Sequence, residues 1–61
     1  MKINVYNIYS DATQTFSGEP EQIRNQLTAS FSFLQRYNNQ SLQEDLQKLS
    51  EQQAFMVNVE D

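Results

Sequence analysis

Both ends of the chain have the pattern of a β-strand, with apolar groups on both faces of the first segment and on alternate positions of the last. Residues 2–9 are rich in β-branched and aromatic types, and this composition predicts a first strand. Ser10-Asp11-Ala12 predicts a turn, because short polar side chains bond to the local backbone. Residues 13–16 then predict a short second strand that pairs back on the first. Residues 54–59 have the alternating pattern and predict a third strand that closes the chain.

The middle of the chain changes to the spacing of an amphipathic helix. Pro20 suits the first helical turn, where its missing N–H would have no partner within the helix. The helix is expected to run from there to residues 36–39. Its apolar stripe consists of Ile23, Leu27, Phe31 and Leu34.

A second helix is predicted to begin after Ser41. Ser41 and Glu44 have the spacing of a capping box, in which each residue bonds to the other's backbone. The apolar stripe that follows consists of Leu42, Leu46 and Leu49. The other face is polar and is expected to be solvated, with Asp45 and Lys48 close enough in sequence for a weak pair.

These elements predict a single small α+β domain over residues 1–61, in the order β-β-α-α-β. The simplest arrangement is a three-stranded sheet of order 2-1-3, with the third strand parallel to the first and two helices packed on one face. The predicted core contains Ile3, Val5, Phe16, Ile23, Leu27, Phe31, Leu34, Leu42, Leu46, Leu49, Phe55, Val57 and Val59.

Two helices cover only one face of such a sheet, so the other face is expected to carry exposed apolar side chains. Exposed apolar patches often mark contact sites, and the two edge strands are also open for pairing. Phe33 and Tyr37 lie beside the stripe of the first helix, where they either fill the end of the core or anchor a partner. The candidate protein interface is therefore Tyr6, Ile8, Phe33, Tyr37 and Met56.

Composition removes most routes to catalysis. The chain has no Cys and no His, so thiol nucleophiles, imidazole bases and disulfides are absent. A single Gly cannot form a phosphate-binding loop. The adjacent or near-adjacent carboxylates are interpreted as helix caps and a charged end: Glu19 with Glu21, Glu44 with Asp45, and Glu60 with Asp61. No catalytic residue, cofactor or metal site is predicted, and we do not expect an enzyme.

The remaining signals favour a protein-interaction module, such as a small adaptor, regulator or accessory subunit. Its expected partner is another protein or a second copy in a homodimer, and the cysteine-free sequence favours the cytoplasm. No apolar run is long enough to span a membrane. The alternative is a nucleic-acid-associated factor that stacks bases on Tyr6, Tyr9 and Phe16. A net charge of −4 opposes binding to phosphates, so this second class is less favoured.

Overall fold

The computed structural model describes residues 1–60, and Asp61 lies outside them. The elements in chain order are β1 (Lys2–Asn7), β2 (Ala12–Ser17), α1 (Pro20–Ser30), a 3₁₀ helix (Ser32–Arg36), α2 (Leu42–Glu51) and β3 (Phe55–Glu60). Both helices pack on one face of a three-stranded sheet of order β2-β1-β3. The predicted α+β class, the element order and the strand order are confirmed.

The turn between β1 and β2 is formed by Ile8–Asp11. The Asn7 side-chain oxygen accepts hydrogen bonds from the backbone N–H groups of Tyr9 at 2.9 Å and Ser10 at 3.2 Å. Asp11 then adopts a left-handed backbone conformation, with φ of 56°, which Asp tolerates better than most residues. The predicted hairpin is confirmed, with Asn7 opposite Ala12 at its closing pair. Its predicted bounds are wrong, because β1 ends at Asn7 and not at residue 9, and Ala12 belongs to β2 and not to the turn.

The predicted parallel direction of β3 is wrong, because β3 runs antiparallel to β1. Two helices joined directly would return the chain to the end of the sheet where β1 begins. Instead, the 3₁₀ helix and the segment 37–41 separate the helices, and the chain reaches the end where β1 finishes. There the Ile8 N–H donates a hydrogen bond to the Ala54 carbonyl at 3.0 Å, and β3 starts.

The first helix is also shorter than predicted, because it ends at Ser30 and does not continue to residues 36–39. The Thr28 hydroxyl donates to backbone carbonyls within the helix, and its own carbonyl accepts from the Gln35 side chain at 3.1 Å. Phe31 leaves the helical region, with φ of −122° and ψ of 81°. Ser and Thr compete for backbone hydrogen bonds in this way, which weakens a helix near its end.

The core lies between the sheet and the helices. Its buried apolar side chains, all of them predicted, are Ile3, Val5, Phe16, Ile23, Leu27, Leu34 and Leu49. Side chains that are half-buried against it are Phe31, Phe33, Leu42, Leu46, Phe55 and Val57. The prediction that Val59 belongs to the core is wrong. Val59 lies on the outer strand β3, where no neighbouring strand covers its far side, and it is 48% exposed.

Phe31 is the centre of an aromatic cluster that closes one end of the core. Its ring centroid lies 6.1 Å from that of Phe16, 6.4 Å from Phe33 and 5.1 Å from Phe55, each in an edge-to-face arrangement. This is a favourable geometry for aromatic pairs. The break in the helix at Phe31 therefore places one ring in contact with the sheet and with the 3₁₀ helix.

The starts of both helices follow the predicted chemistry. Pro20 is the first residue of α1, and the Gln22 side chain accepts from the N–H of Glu19 at 2.8 Å. At α2, the Glu44 N–H donates to Ser41 Oγ at 3.2 Å, which confirms Ser41 as the cap. The other half of the predicted capping box is wrong, because the Glu44 carboxylate accepts from the N–H of Gln40 and not from that of Ser41. These contacts satisfy N–H groups that have no partner within their helices.

Asp45 is buried, so its predicted place on the solvated face of α2 is wrong. It is 1% exposed, and its Oδ2 atom lies 2.9 Å from Arg24 Nε of α1. The Asn39 side-chain amide donates to Asp45 Oδ1 at 2.9 Å. Lys48, the predicted partner of Asp45, instead lies 3.6 Å from Glu51. A buried charge requires such partners, because removal from water strongly disfavours an isolated carboxylate.

Candidate functional site

The face of the sheet opposite the helices is the open face. Side chains alternate across a sheet, so the core residues Ile3 and Val5 place their even-numbered neighbours on this side. The strand registers then define its members as Lys2, Asn4, Tyr6, Thr13, Thr15, Ser17, Met56, Asn58 and Glu60. Polar residues occupy one end of this face and larger apolar groups occupy the other.

The polar end of the open face forms its own hydrogen bonds. Thr15 Oγ1 donates to the Asn4 side-chain oxygen at 2.8 Å. The Asn4 side-chain amide in turn donates to the Glu60 carboxylate. This line of contacts crosses all three strands and stabilises their register. It leaves a hydrated surface that has little apolar area to offer a partner.

The apolar end adjoins a shallow groove of about 560 Å³. The groove is lined by Tyr6, Thr13 and Met56, together with Asn4, Val57 and Asn58. Tyr6 lies in the central strand, directly opposite Thr13 on one side and Met56 on the other. Met56 is 63% exposed. The sequence correctly placed Tyr6 and Met56 on the open face. The other residues of the open face are polar.

Tyr6 is fixed by the hairpin turn. Its hydroxyl donates a hydrogen bond to Asp11 Oδ1 at 2.5 Å. This bond is the main cause that raises the pKa of Tyr6 above its ordinary value of 10.0, and burial adds to it. The neutral hydroxyl donates to the carboxylate, whereas a tyrosinate would repel it. The turn thus holds the Tyr6 ring in one orientation at the rim of the groove.

The five predicted interface residues do not form one surface. Tyr6 and Met56 lie together, and Ile8 is exposed just beyond the end of β1. Phe33 is half-buried against the core. Tyr37 is partly exposed away from the strands, with Lys48 Nζ 4.8 Å from its ring centroid, in the position of a cation–π contact.

The outer edge of β3 is a second feature, and it adjoins the groove. In an antiparallel ladder, successive residues direct their backbone N–H and C=O groups to alternate sides. The Ala54 carbonyl is directed to β1, where it accepts from Ile8. The groups of Val57 and Val59 are therefore directed to the free edge, whereas the Phe55 N–H is already bonded to the Gln52 carbonyl.

The opposite edge, at β2, is more polar. The Gly18 N–H donates to the Met1 carbonyl, so the same alternation directs the backbone groups of Thr13, Thr15 and Ser17 outward. The Ser17 carbonyl accepts from the Gln26 side chain at 3.2 Å. The side chains along this edge are mostly Thr, Gln and Ser. The two edges of the sheet therefore differ in chemistry.

The predicted aromatic platform for nucleic-acid bases is not assembled. Phe16 is buried in the core on the helix side of the sheet. Tyr9 is in the hairpin turn and is 82% exposed. Tyr6 is the one ring of the three that lies on the open face. The three rings occupy separate environments, and successive bases would not stack on them together.

Two further properties concern residues 1–60. No group of three or more carboxylate side chains within this range converges as a metal site would require. No helix among these residues has the length and apolar content needed to cross a membrane. Comparison of the chain with protein families, with curated proteins and with solved structures finds no match.

Proposed function

We propose that this chain is a non-enzymatic protein-interaction module that binds its partner along the outer edge of β3 and the adjoining groove. The observation that carries the proposal is that β3 has an exposed apolar side chain on each of its two faces. Met56 is 63% exposed on the open face, and Val59 is 48% exposed on the helix side. Between them, the backbone groups of Val57 are directed to the free edge.

An added strand explains this exposure better than a partner seated on the open face alone. A partner on the open face would cover Tyr6 and Met56 but would leave Val59 in water. A strand paired along β3 places side chains beside both Met56 and Val59, and it also bonds the outward backbone groups. Strand addition derives affinity from main-chain hydrogen bonds and specificity from alternate side chains.

The alternative, a nucleic-acid-associated factor, has less support. Tyr6 is the single ring of its three candidates on the open face, and that face has one basic residue, Lys2. The net charge of −4 also repels the phosphate groups of a nucleic acid. Strand addition along β3 requires neither stacking rings nor a basic surface.

Site-specific photo-crosslinking in cells of the native host tests the proposal. A photoreactive amino acid replaces Val59 in one variant and Thr15 in the matched control. Both positions are exposed and direct their backbone groups outward, but they lie on opposite edges of the sheet. We expect a protein adduct from Val59 and a much weaker one from Thr15. Equal adducts, or none from Val59, would contradict the proposal.

A cytoplasmic location, which the cysteine-free sequence favours, is part of the same proposal. It determines where the partner is sought, because the crosslinking is carried out in intact cells before lysis. Adducts found only with proteins outside the cytoplasm would contradict this location.

A further inference from the structure

We infer that the partner of β3 is a second copy of this chain, paired strand to strand about a two-fold axis at Val57. The inference rests on the proposed function and names the occupant of the same edge. Two sheets of three strands would join through antiparallel β3 strands into one sheet of six. Such a contact is isologous, so the same surface serves both copies.

The outward backbone groups define the register of this pairing. Bonded pairs across the new edge form between odd-numbered residues, because those residues direct their groups away from β1. Phe55 contributes its carbonyl alone, since its N–H already donates to Gln52. A two-fold axis at Val57 places Val57 opposite Val57 of the second copy. The same axis places Phe55 opposite Val59, and both pairings join apolar groups on the helix side of the sheet.

The axis at Val57 also suits the exposed apolar side chains of β3 better than either neighbouring axis. It places Met56 opposite Asn58 of the second copy. An axis at Asn58 would instead place Met56 opposite Glu60, so an exposed apolar side chain would meet a carboxylate. An axis at Met56 would pair the two Met56 side chains but would place Val59 opposite Gln53, which lies outside the strand. The first register covers both Met56 and Val59, which are the two exposed apolar groups of the strand.

The strip of β3 that would contact the second copy consists of residues 54–60. Its low charge permits self-association despite the net charge of −4. Residues 54–59 carry no charge, and Glu60 falls opposite Ala54 of the second copy in this register. Like charges elsewhere on the two copies repel at longer range, and salt screens this repulsion over about 10 Å at 0.1 M. The dimer is therefore expected to become tighter as the salt concentration rises.

The size of the strip determines the expected strength. A standard stable interface takes about 800 Å² from each partner, which is about a fifth of the 4213 Å² surface of this chain. One strand of six residues supplies less than that. We therefore expect a reversible dimer whose population depends on protein concentration within the micromolar range or above.

Sedimentation equilibrium of the full chain at several concentrations tests the inference. Proline at position 59 removes an N–H that is directed to the free edge, where proline leaves the β1–β3 ladder intact. Thr15→Pro makes the same backbone change on the other edge, where it also removes the hydrogen bond from Thr15 to Asn4. We expect the wild type and Thr15→Pro to share one monomer–dimer equilibrium and Val59→Pro to remain monomeric, with circular dichroism confirming that both variants fold.

A second variant keeps the test independent of proline. Val59→Glu retains the backbone N–H but adds like charge to the strip, and we expect dimerisation at least about tenfold weaker, equivalent to 1.4 kcal/mol. A strictly monomeric wild type, or a dimer that Val59→Pro retains, would overturn the inference. If the wild type is monomeric while Val59 crosslinks to a different protein, the second-copy inference fails and the proposed function stands.

Discussion

Arg24 Nε lies 2.9 Å from Asp45 Oδ2, and this contact joins α1 to α2 inside the protein. The Arg24 guanidinium also donates to the Asn39 carbonyl at 2.9 Å, while the Asn39 side chain donates to the second oxygen of Asp45. The three residues therefore form one polar unit that satisfies a carboxylate buried almost completely. This unit holds the connection between the helices in place.

Replacing Arg24 with Met is expected to destabilise the protein strongly. The substitution keeps much of the side-chain volume but leaves Asp45 buried without its ion pair. Breaking a buried pair typically costs about 3–5 kcal/mol, and we expect the lower end because Arg24 is partly exposed. Total stability for a chain of this length is about 3–9 kcal/mol. Urea unfolding followed by circular dichroism measures the loss.

Lys48→Met is the control for this prediction. Lys48 makes a longer pair with Glu51 and a cation–π contact with Tyr37, and exposed contacts of either kind contribute about 0–1 kcal/mol each. The double variant Arg24→Met with Asp45→Leu is expected to recover most of the stability, because no unpaired charge stays buried. If Arg24→Met costs no more than Lys48→Met, the polar unit does not have this role.

Gly18→Ala is expected to weaken the junction between β2 and α1. Gly18 has φ of 128°, and a Cβ atom built there would lie 2.6 Å from Oε1 of Gln22. The residue therefore faces both backbone strain and a steric clash, and strain of this kind costs about 1–3 kcal/mol. Thermal or urea unfolding of the variant measures the sum of these effects.

The background of Gln22→Ala separates the two causes. Without the Gln22 side chain the clash disappears, while the backbone strain at position 18 remains. We expect Gly18→Ala to cost less in this background than in the wild type, but still to destabilise. An equal cost in both backgrounds would show that the clash contributes nothing.

The hydrogen bond between Tyr6 and Asp11 predicts an alkaline titration that Asp11→Asn shifts. Asp11 raises the pKa of Tyr6 above 10.0 because the neutral hydroxyl donates to the carboxylate. Asn also tolerates a left-handed backbone conformation, so the turn is expected to persist in the variant. NMR titration of the Tyr6 ring carbons should give a lower pKa in Asp11→Asn than in the wild type. An unchanged value would contradict the assignment.

The same bond predicts how stability depends on pH. The pKa of Tyr6 is raised in the folded state. The hydrogen bond of Tyr6 therefore contributes its full amount to folding stability below the pKa of the unfolded state, which is near 10.0. That contribution is lost as the pH rises through the folded-state pKa, because the hydroxyl then ionises in both states. Tyr6→Phe should remove this part of the alkaline loss of stability, as measured by urea unfolding on both sides of pH 10.0.

The sequence determines the local features of this fold more directly than the long-range ones. The hairpin, the start at Pro20 and the cap at Ser41 depend on neighbouring residues, and all are confirmed. The burial of Asp45 had a local signal, since it lies three residues after Leu42 and therefore on the apolar stripe. Its partner Arg24, on another helix, required the tertiary structure.

The candidate site was predictable in part for the same reason. Alternation along β1 and β3 placed Tyr6 and Met56 on the open face. The exposure of Val59 depends on which elements cover the strand, and the direction of β3 depends on the path through the 3₁₀ helix. Neither property follows from the pattern of residues within the strand.

Amide hydrogen exchange of β3, followed by NMR at increasing protein concentration, measures directly whether a second strand pairs along the outer edge of β3. We expect exchange at Val57 and Val59 to slow as the concentration rises, because a second strand then bonds their outward N–H groups. Exchange at Thr13 and Thr15, on the other edge, should stay constant. If the exchange rates of Val57 and Val59 do not change with protein concentration, or if only Thr13 and Thr15 slow, then β3 does not pair with a second copy.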